Sequence, residues 1–168
     1  MKIRRARPMR TFPRLAVLVL FLIAGVAPAA NNGDFSGVCV KVLDGDSIIV
    51  ATSGDRLEVR LDGIDAPEHG QAYGEEAKAA TKALVLGKKV TGEFQKIDKY
   101  GRTLARIFVD GEDLSLMLVR AGAAWKYKWS SDPVLTEAQK QARKEEKGLW
   151  ARPNPVPPWE WRKEHPRH

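Results

Sequence analysis

Residues 38–61, VCVKVLDGDSIIVATSGDRLEVRL, contain three β-rich segments separated by two short turn signals. The segments are Val38 to Leu43, Ser47 to Thr52 and Leu57 to Leu61, and the intervening tripeptides are Asp-Gly-Asp and Ser-Gly-Asp. The third segment alternates apolar and polar side chains with a period of two, as a strand with one buried face does. This stretch therefore predicts a meander of three strands.

Downstream, the sequence predicts a helix followed by two more strands. Residues Gly74 to Leu86 are rich in helix formers and carry two glutamates in the first turn, where the helix dipole favours acidic side chains. Gly87 follows as a C-cap. Strands are predicted for Lys88 to Phe94 and for Arg102 to Val109, and a polar stretch joins them.

Two further helices are predicted after the last strand. Asp113 can cap a short helix over Leu114 to Arg120, which Gly122 ends, and Pro133 to Lys147 is a polar helix of alternating charge. Five short strands, with one helix between the third and the fourth, follow the order of an OB-type barrel. The expected fold class is therefore α+β: a five-stranded OB-fold β-barrel packed with about three helices.

The first 29 residues have the pattern of a secretory signal peptide. They hold six basic residues and no acidic one, then an apolar run from Leu15 to Ala27 and a small-x-small site at Ala27-Pro28-Ala29. A membrane span needs about 20 apolar residues, so an uncleaved anchor is the less favoured alternative. The pattern predicts a secreted or periplasmic protein, and it favours general secretion over twin-arginine export.

The signal peptide also accounts for most of the formal charge. The whole chain has 28 Lys+Arg against 21 Asp+Glu and a net charge of +7. Removal of residues 1–29 leaves 22 basic and 21 acidic residues, a net charge of +1. The overall basicity is therefore no argument by itself for nucleic-acid binding. We expect the processed chain to be a monomer without stable membrane association.

Two parts follow the signal peptide: a predicted OB-fold domain over residues 36–150 and a tail over residues 151–168. The tail contains five prolines, which predict an extended segment, and Trp159 and Trp161 are available to dock on the domain. One cysteine, Cys39, and three histidines argue against a disulfide framework and a structural zinc site. The apolar neighbours of Cys39 favour a buried, inert thiol.

Three clusters contain residues whose side chains are capable of metal binding or catalysis. Each cluster also has a purely structural interpretation. The turn Asp44-Gly45-Asp46 can present carboxylates to a hard cation such as Ca²⁺, or be only a hairpin turn. In Arg60 to Glu68 (RLDGIDAPE), Pro67 holds the chain extended so that Asp65 and Glu68 flank a common point, unless this is only a solvated acidic loop. The third cluster is the turn Asp98-Lys99-Tyr100-Gly101-Arg102. Its arginine can bind a phosphate through paired hydrogen bonds, or the segment is only a hairpin turn followed by a surface arginine.

Together, in this order, the three clusters are far more specific than any one of them. The combination of Asp-Gly-Asp, Arg-x₄-Asp-x-Pro-Glu and Asp-Lys-Tyr-Gly-Arg resembles the staphylococcal nuclease-like (thermonuclease) family, over roughly Gly37 to Trp150. The resemblance implies an exported bacterial-type homologue with an OB-fold barrel and three helices. It further implies hydrolysis of DNA and RNA with Ca²⁺ as cofactor, breaking the 5′ P–O bond to leave a 3′-phosphate.

The resemblance also implies roles for individual residues. Asp46 and Asp65 correspond to the calcium-ligating carboxylates, and Ala66 to a ligand that acts through its backbone carbonyl. Glu68 corresponds to the proposed general base. Arg60 and Arg102 correspond to the two catalytic arginines, while Lys99 and Tyr100 correspond to contacts with a terminal phosphate of the substrate.

Two features depart from the family pattern. The segment between Glu68 and the first helix, His69 to Tyr73, is shorter than in the best-known member, which leaves the rate and the cleavage preference open. Beyond Gly122 the match is loose. Tyr127 falls near the base-stacking tyrosines of the family, with Trp125 and Trp129 as alternatives, and each is equally compatible with a solvated aromatic or a core anchor.

The sequence thus favours a Ca²⁺-dependent secreted nuclease acting on DNA, RNA or both. The alternative from another class is a catalytically inactive OB-fold module that only binds nucleic acid. The five charged side chains that correspond to the metal ligands, the general base and the catalytic arginines are all present, which argues against it: Asp46, Arg60, Asp65, Glu68 and Arg102. A structural envelope protein is a third hypothesis, but it leaves those charged residues unexplained.

Overall fold

The computed structural model of the protein describes residues 33–166. The predicted signal peptide, residues 1–29, lies outside the described residues. Within residues 33–166, none of the helices has the length and apolar character needed to cross a lipid bilayer.

The described chain contains eight strands and four α-helices, with one 3₁₀ turn at Gly148–Ala151. The strands are β1 (Phe35–Val42), β2 (Ser47–Ala51), β3 (Arg56–Leu61), β4 (Ile64–Asp65), β5 (Lys89–Ile97), β6 (Thr103–Val109), β7 (Glu112–Asp113) and β8 (Trp125–Lys126). The helices are α1 (Gly74–Val85), α2 (Leu114–Arg120), α3 (Pro133–Lys144) and α4 (Pro158–Glu164).

Five of the strands form a closed barrel, which confirms the predicted α+β OB-fold. Strands β1, β2 and β3 form the antiparallel meander, β5 pairs with β1 and with β6, and a parallel pairing of β3 with β6 closes the barrel. Alternate residues of β6 are buried along its whole length, since successive side chains of a strand point to opposite faces. The inward-facing side chains form one core with the helices.

The predicted caps of the helices are present. The side chain of Asp113 accepts hydrogen bonds from the backbone N–H groups of Ser115 and Leu116, which begins α2 as expected. Gly87 and Gly122 follow α1 and α2 with φ angles of 77° and 67°, the left-handed conformation in which glycine commonly ends a helix. Cys39 is buried, and burial raises the pKa of its thiol.

Four local features differ from the sequence-based expectations. Helix α3 ends at Lys144 rather than at Lys147, and a turn follows it. Strand β5 continues to Ile97 rather than ending at Phe94, and its pairing with β6 shifts register between Phe94 and Lys96, as at a β-bulge. Strands β4 and β8 pair with each other, and both are too short to leave a periodic pattern. The tail is not extended throughout, since α4 begins at Pro158, a residue whose fixed φ suits the first turn of a helix.

Candidate active site

A cleft of about 420 Å³ lies beside β3 and the first residues of β6, and its lining includes every residue that the sequence predicted for the site. The nine residues come from the turn after β1, from β3, from β4 and the loop after it, from the β5–β6 hairpin and from the position after β8. They are Asp46, Arg60, Asp65, Ala66, Glu68, Lys99, Tyr100, Arg102 and Tyr127.

The turn Asp44-Gly45-Asp46 packs directly against the loop that follows β4. A Cβ placed on Gly45 would come within 2.6 Å of the Cβ of Ala66 and 3.0 Å of that of Ala77, so glycine permits this close approach. The hydroxyl of Thr81 in α1 donates a 2.7 Å hydrogen bond to the Gly45 carbonyl. These contacts bring the Asp46 side chain beside Ala66, whose N–H donates to Oδ2 of Asp46 at 2.6 Å.

One guanidinium connects the two carboxylates among the predicted metal ligands. Nη1 of Arg60 lies 2.7 Å from Oδ2 of Asp46, and Nη2 lies 3.0 Å from Oδ1 of Asp65. Both carboxylates are buried, so each requires a charged partner or hydrogen bonds. Burial raises the pKa of Asp46 to about 7, against the opposing effect of Arg60, and the nearby carboxylates of Asp44 and Asp65 contribute to the rise.

The parallel pairing of β3 with β6 places the two predicted catalytic arginines on the same face of the barrel. Arg60 is the register partner of Leu104, and Arg102 precedes Leu104 by two residues, which is one full period of a strand. Both arginine side chains therefore border the same cleft, although they are distant in sequence.

The hairpin turn between β5 and β6 positions Arg102. Asp98 accepts hydrogen bonds from the backbone N–H of Arg102 at 3.0 Å and from its Nε at 2.8 Å. Burial alone would raise the pKa of Asp98, but the bonds from Arg102 and from the Tyr100 N–H hold it below its ordinary value. The side chains of Lys99 and Tyr100 are exposed at the edge of the cleft, with the Lys99 ammonium 4.9 Å from the Tyr100 ring centroid.

The loop that carries Glu68 is short and internally bonded. The backbone N–H of Glu68 donates to Oε1 of Gln71 at 3.0 Å, and its carbonyl accepts from the Gln71 N–H at 3.0 Å. Gly74 at the start of α1 packs on the same carbonyl, since a Cβ there would lie 2.1 Å from the Glu68 oxygen. The side chain of Glu68 is accordingly presented from a compact turn.

Arg162 of α4 is a site residue that the sequence analysis missed. Its guanidinium donates to both oxygens of Asp65, at 3.1 and 2.7 Å, and to Oε1 of Glu68 at 2.7 Å. The hydrogen bonds to Asp65 raise the pKa of Arg162 above its ordinary value, although burial opposes this. The only signal in the sequence was its position beside Trp159 and Trp161, which were expected to dock on the domain.

The three aromatic candidates for base stacking occupy different environments. Tyr127 lines the cleft with 37% of its surface exposed. Trp129 is 75% exposed but is not among the residues that line the cleft. Trp125 is 7% exposed and packs edge-on against Trp150, with ring centroids 4.3 Å apart, so it is a core anchor rather than a stacking surface.

The part of the cleft lined by Asp46, Asp65 and Ala66 presents oxygen atoms of the kind that hard cations take as ligands. The carboxylates of Asp46 and Asp65 share one guanidinium, and Ala66 lines the cleft beside them. Among residues 33–166, no group of three or more His, Cys, Asp or Glu side chains is arranged to hold a metal ion. A cation here would therefore need backbone or water oxygens besides the two carboxylates, which Ca²⁺ accepts readily.

Comparison with known proteins identifies the family of this site. The family model described as staphylococcal nuclease homologue matches residues 58–152. The chain belongs to the staphylococcal nuclease family. The matched range contains eight of the nine predicted site residues, and the ninth, Asp46, precedes it. Arg162, which was not predicted, follows the matched range.

Relatives within the staphylococcal nuclease family match over most of the chain. A protein of Escherichia coli O157:H7 named "uncharacterized endonuclease" is 44% identical over 147 residues, covering 86% of this chain and 94% of that protein. A protein of the same name in Haemophilus influenzae is 37% identical, covering 90% and 86%. A protein of Shigella flexneri named "micrococcal nuclease" is 35% identical, covering 77% and 82%.

Proposed function

We propose that the protein is a Ca²⁺-dependent, secreted nuclease that hydrolyses phosphodiester bonds in DNA, RNA or both. The observation that carries the proposal is the shared cleft, in which buried carboxylates and two arginines of one barrel face lie beside Glu68. Family membership and the relatives named as nucleases support the same activity. Export is proposed from the signal-peptide pattern of residues 1–29.

In this proposal, Asp46, Asp65 and the backbone carbonyl of Ala66 would hold the Ca²⁺ ion. Carboxylate and carbonyl oxygens are its preferred ligands, and a metal-binding carboxyl must be deprotonated. Bound Ca²⁺ would neutralise charge on the phosphate and polarise one of its oxygens.

The remaining chemistry falls to Glu68 and the arginines. The Glu68 carboxylate would take a proton from the attacking water, a transfer that contributes about 10²–10⁴-fold to a reaction rate. Arg60 and Arg102 would donate charge-assisted hydrogen bonds to the phosphate oxygens, which gain charge in the five-coordinate transition state. Arg102 would exchange part of its bonding to Asp98 for bonding to phosphate. Lys99 and Tyr100 at the edge of the cleft would contact a terminal phosphate.

The proposal is tested by incubating the protein without residues 1–29 with single-stranded DNA and with RNA, in Ca²⁺ and in chelator. Glu68→Ser is the test variant. Glu75→Ser is the matched control, because Glu75 is an exposed acid of the same region whose side chain pairs with His69 outside the cleft. We expect Ca²⁺-dependent cleavage that is lost in Glu68→Ser and retained in Glu75→Ser.

Two results would contradict the proposal. Binding of the strand without cleavage in Ca²⁺ would support the alternative, an inactive OB-fold module that binds nucleic acid. Full activity in chelator would exclude the Ca²⁺ requirement. Export is tested separately by expressing the whole chain in a bacterial host and determining the first residue of the product, which is expected to be Ala30.

A further inference from the structure

We propose that Arg162 is a positioning residue of this active site, holding the carboxylates of Glu68 and Asp65 in fixed orientation from the C-terminal helix. The inference rests on the proposed nuclease activity for its kinetic consequence, but its structural consequence can be measured without activity. Arg162 lies beyond residues 58–152, the range matched by the family model.

The planar guanidinium of Arg162 forms hydrogen bonds with two carboxylates at once. Both terminal nitrogens bond to Asp65, and Nη1 also bonds to Glu68. The partner side chains are only 2% and 16% exposed, whereas that of Arg162 is 35% exposed. Planar, bidentate guanidinium–carboxylate bonding fixes orientation as well as distance. An ordinary surface ion pair would not restrain its partners in this way.

The same tail restrains the backbone of Glu68 through a second connection. The buried side chain of Gln71 accepts from the Glu68 N–H at 3.0 Å, and its Nε2 donates to the carbonyl of Val156 at 2.7 Å. Gln71 therefore links the Glu68 loop to the tail, while Arg162 links the Glu68 carboxylate to the tail. Two independent contacts, one to backbone and one to side chain, act on the same residue.

Helix α4 is itself anchored to the domain. Pro158 is buried at its first turn, and the ring of Trp159 packs edge-on against Trp125, with centroids 5.6 Å apart. Trp125 packs in turn on Trp150. The fork of Arg162 is thus delivered from a docked element rather than from a free chain end, as precise positioning requires.

The expected effect is on the chemical step. Displacement of a catalytic group by about 1 Å can cost on the order of 100-fold in rate. We expect Arg162→Ala to lower kcat by about 10- to 100-fold while KM changes by less than about threefold. The kcat of Arg162→Lys should lie between those of the unmodified protein and Arg162→Ala, because an ammonium keeps the charge but loses the planar fork of the guanidinium.

The experiment compares these variants with Arg152→Ala. Arg152 is a matched control, since it also lies in the tail and pairs with a glutamate, Glu76, but outside the cleft. Kinetics are measured on single-stranded DNA alone, with millimolar methylguanidinium and with millimolar methylammonium. Amide hydrogen exchange of residues 66–71 is measured separately in Ca²⁺-free protein without DNA; the segment stops short of Tyr73, whose ring centroid lies 5.8 Å from the Arg152 guanidinium.

The inference predicts that Arg162→Ala loses kcat, regains it in methylguanidinium but not in methylammonium, and exchanges faster in residues 66–71. Arg152→Ala should show none of these changes. Higher activity in Arg162→Ala would overturn it and indicate an inhibitory contact. A rise in KM alone would also contradict the inference and indicate a role in substrate binding. A loss of kcat that methylguanidinium does not rescue and that Arg152→Ala shares would contradict it too, and indicate only a role in docking the tail. If the unmodified protein cleaves nothing, the proposed function fails, and the exchange data alone decide whether Arg162 restrains the loop.

Discussion

The backbone N–H of Ala66 donates a 2.6 Å hydrogen bond to Oδ2 of Asp46, joining two residues twenty positions apart. The bond connects the first turn of the barrel to the loop after β4, and so brings two of the predicted cation ligands together. It depends on the close approach of Gly45 to Ala66, which no larger residue would permit.

Gly45→Ala should therefore disturb both stability and the site. Its methyl group would meet the Cβ atoms of Ala66 and Ala77, an overpacking that typically costs about 1–3 kcal/mol. Urea unfolding measures this cost. Gly54→Ala is the control, because Gly54 lies in the next turn and no atom lies within 4 Å of a Cβ added there. The free energy of unfolding of Gly54→Ala should therefore not fall below that of the unmodified protein. Equal losses in both variants would contradict the packing argument.

The stability of the metal-free protein should depend on pH through Asp46. Its pKa is about 7 in the folded state because of burial, and about 3.9 in an unfolded chain. Between these values the folded state holds the proton and the unfolded state does not. The free energy of unfolding therefore decreases as pH rises from about 4 to 7, by at most roughly 1–1.5 kcal/mol per pH unit from this group.

Urea unfolding in chelator across this pH range, with Asp46→Asn for comparison, isolates that contribution. The difference in stability between the two proteins should move steadily in favour of Asp46→Asn as the pH rises. Asp44→Asn, which removes a neighbouring carboxylate, should keep most of the slope of the unmodified protein. A pH-independent difference between unmodified protein and Asp46→Asn would exclude the raised pKa.

Lysine should be a poor replacement for Arg102, whereas arginine should replace Lys99 well. Arg102 is held by Asp98 with its guanidinium bordering the cleft, and an ammonium keeps the charge but loses the fork geometry. We expect Arg102→Lys to lower kcat on single-stranded DNA by about 10²–10³-fold, the usual loss for one preorganised donor. Lys99→Arg, at the exposed edge, should change it only a few-fold. Similar damage from both would reject the assigned roles.

Tyr127 should contribute to binding of the nucleic acid, and Trp129 should not. Tyr127 lines the cleft, and stacking of one base on an aromatic ring contributes about 1–3 kcal/mol. In a Glu68→Gln background that leaves the strand intact, Tyr127→Ala should raise the Kd for labelled single-stranded DNA by about 5- to 150-fold. Trp129→Ala should leave the Kd unchanged despite the greater exposure of Trp129. The reverse order would make Trp129 the stacking residue.

Much of the fold could be predicted because its determinants are local. The alternation in β3, the cap at Asp113 and the left-handed glycines after α1 and α2 each depend on a few neighbouring residues. The β4–β8 pair could not be predicted, because two-residue strands have no periodicity and are created by their pairing. The helical conformation of α4 was missed because prolines dominate the tail's composition, although Pro158 occupies the position where a helix tolerates proline.

The sequence by itself determined which residue types stand in the turns and loops and the order in which they occur, and these were enough to predict the barrel and nine candidate residues. Only the tertiary structure decided which of them touch. The parallel pairing of β3 with β6 aligned Arg60 with Arg102, and the docking of α4 brought Arg162 to Asp65 and Glu68, residues 97 and 94 positions away. Such contacts leave no local pattern, because burial and charge pairing between distant segments create them when the chain folds.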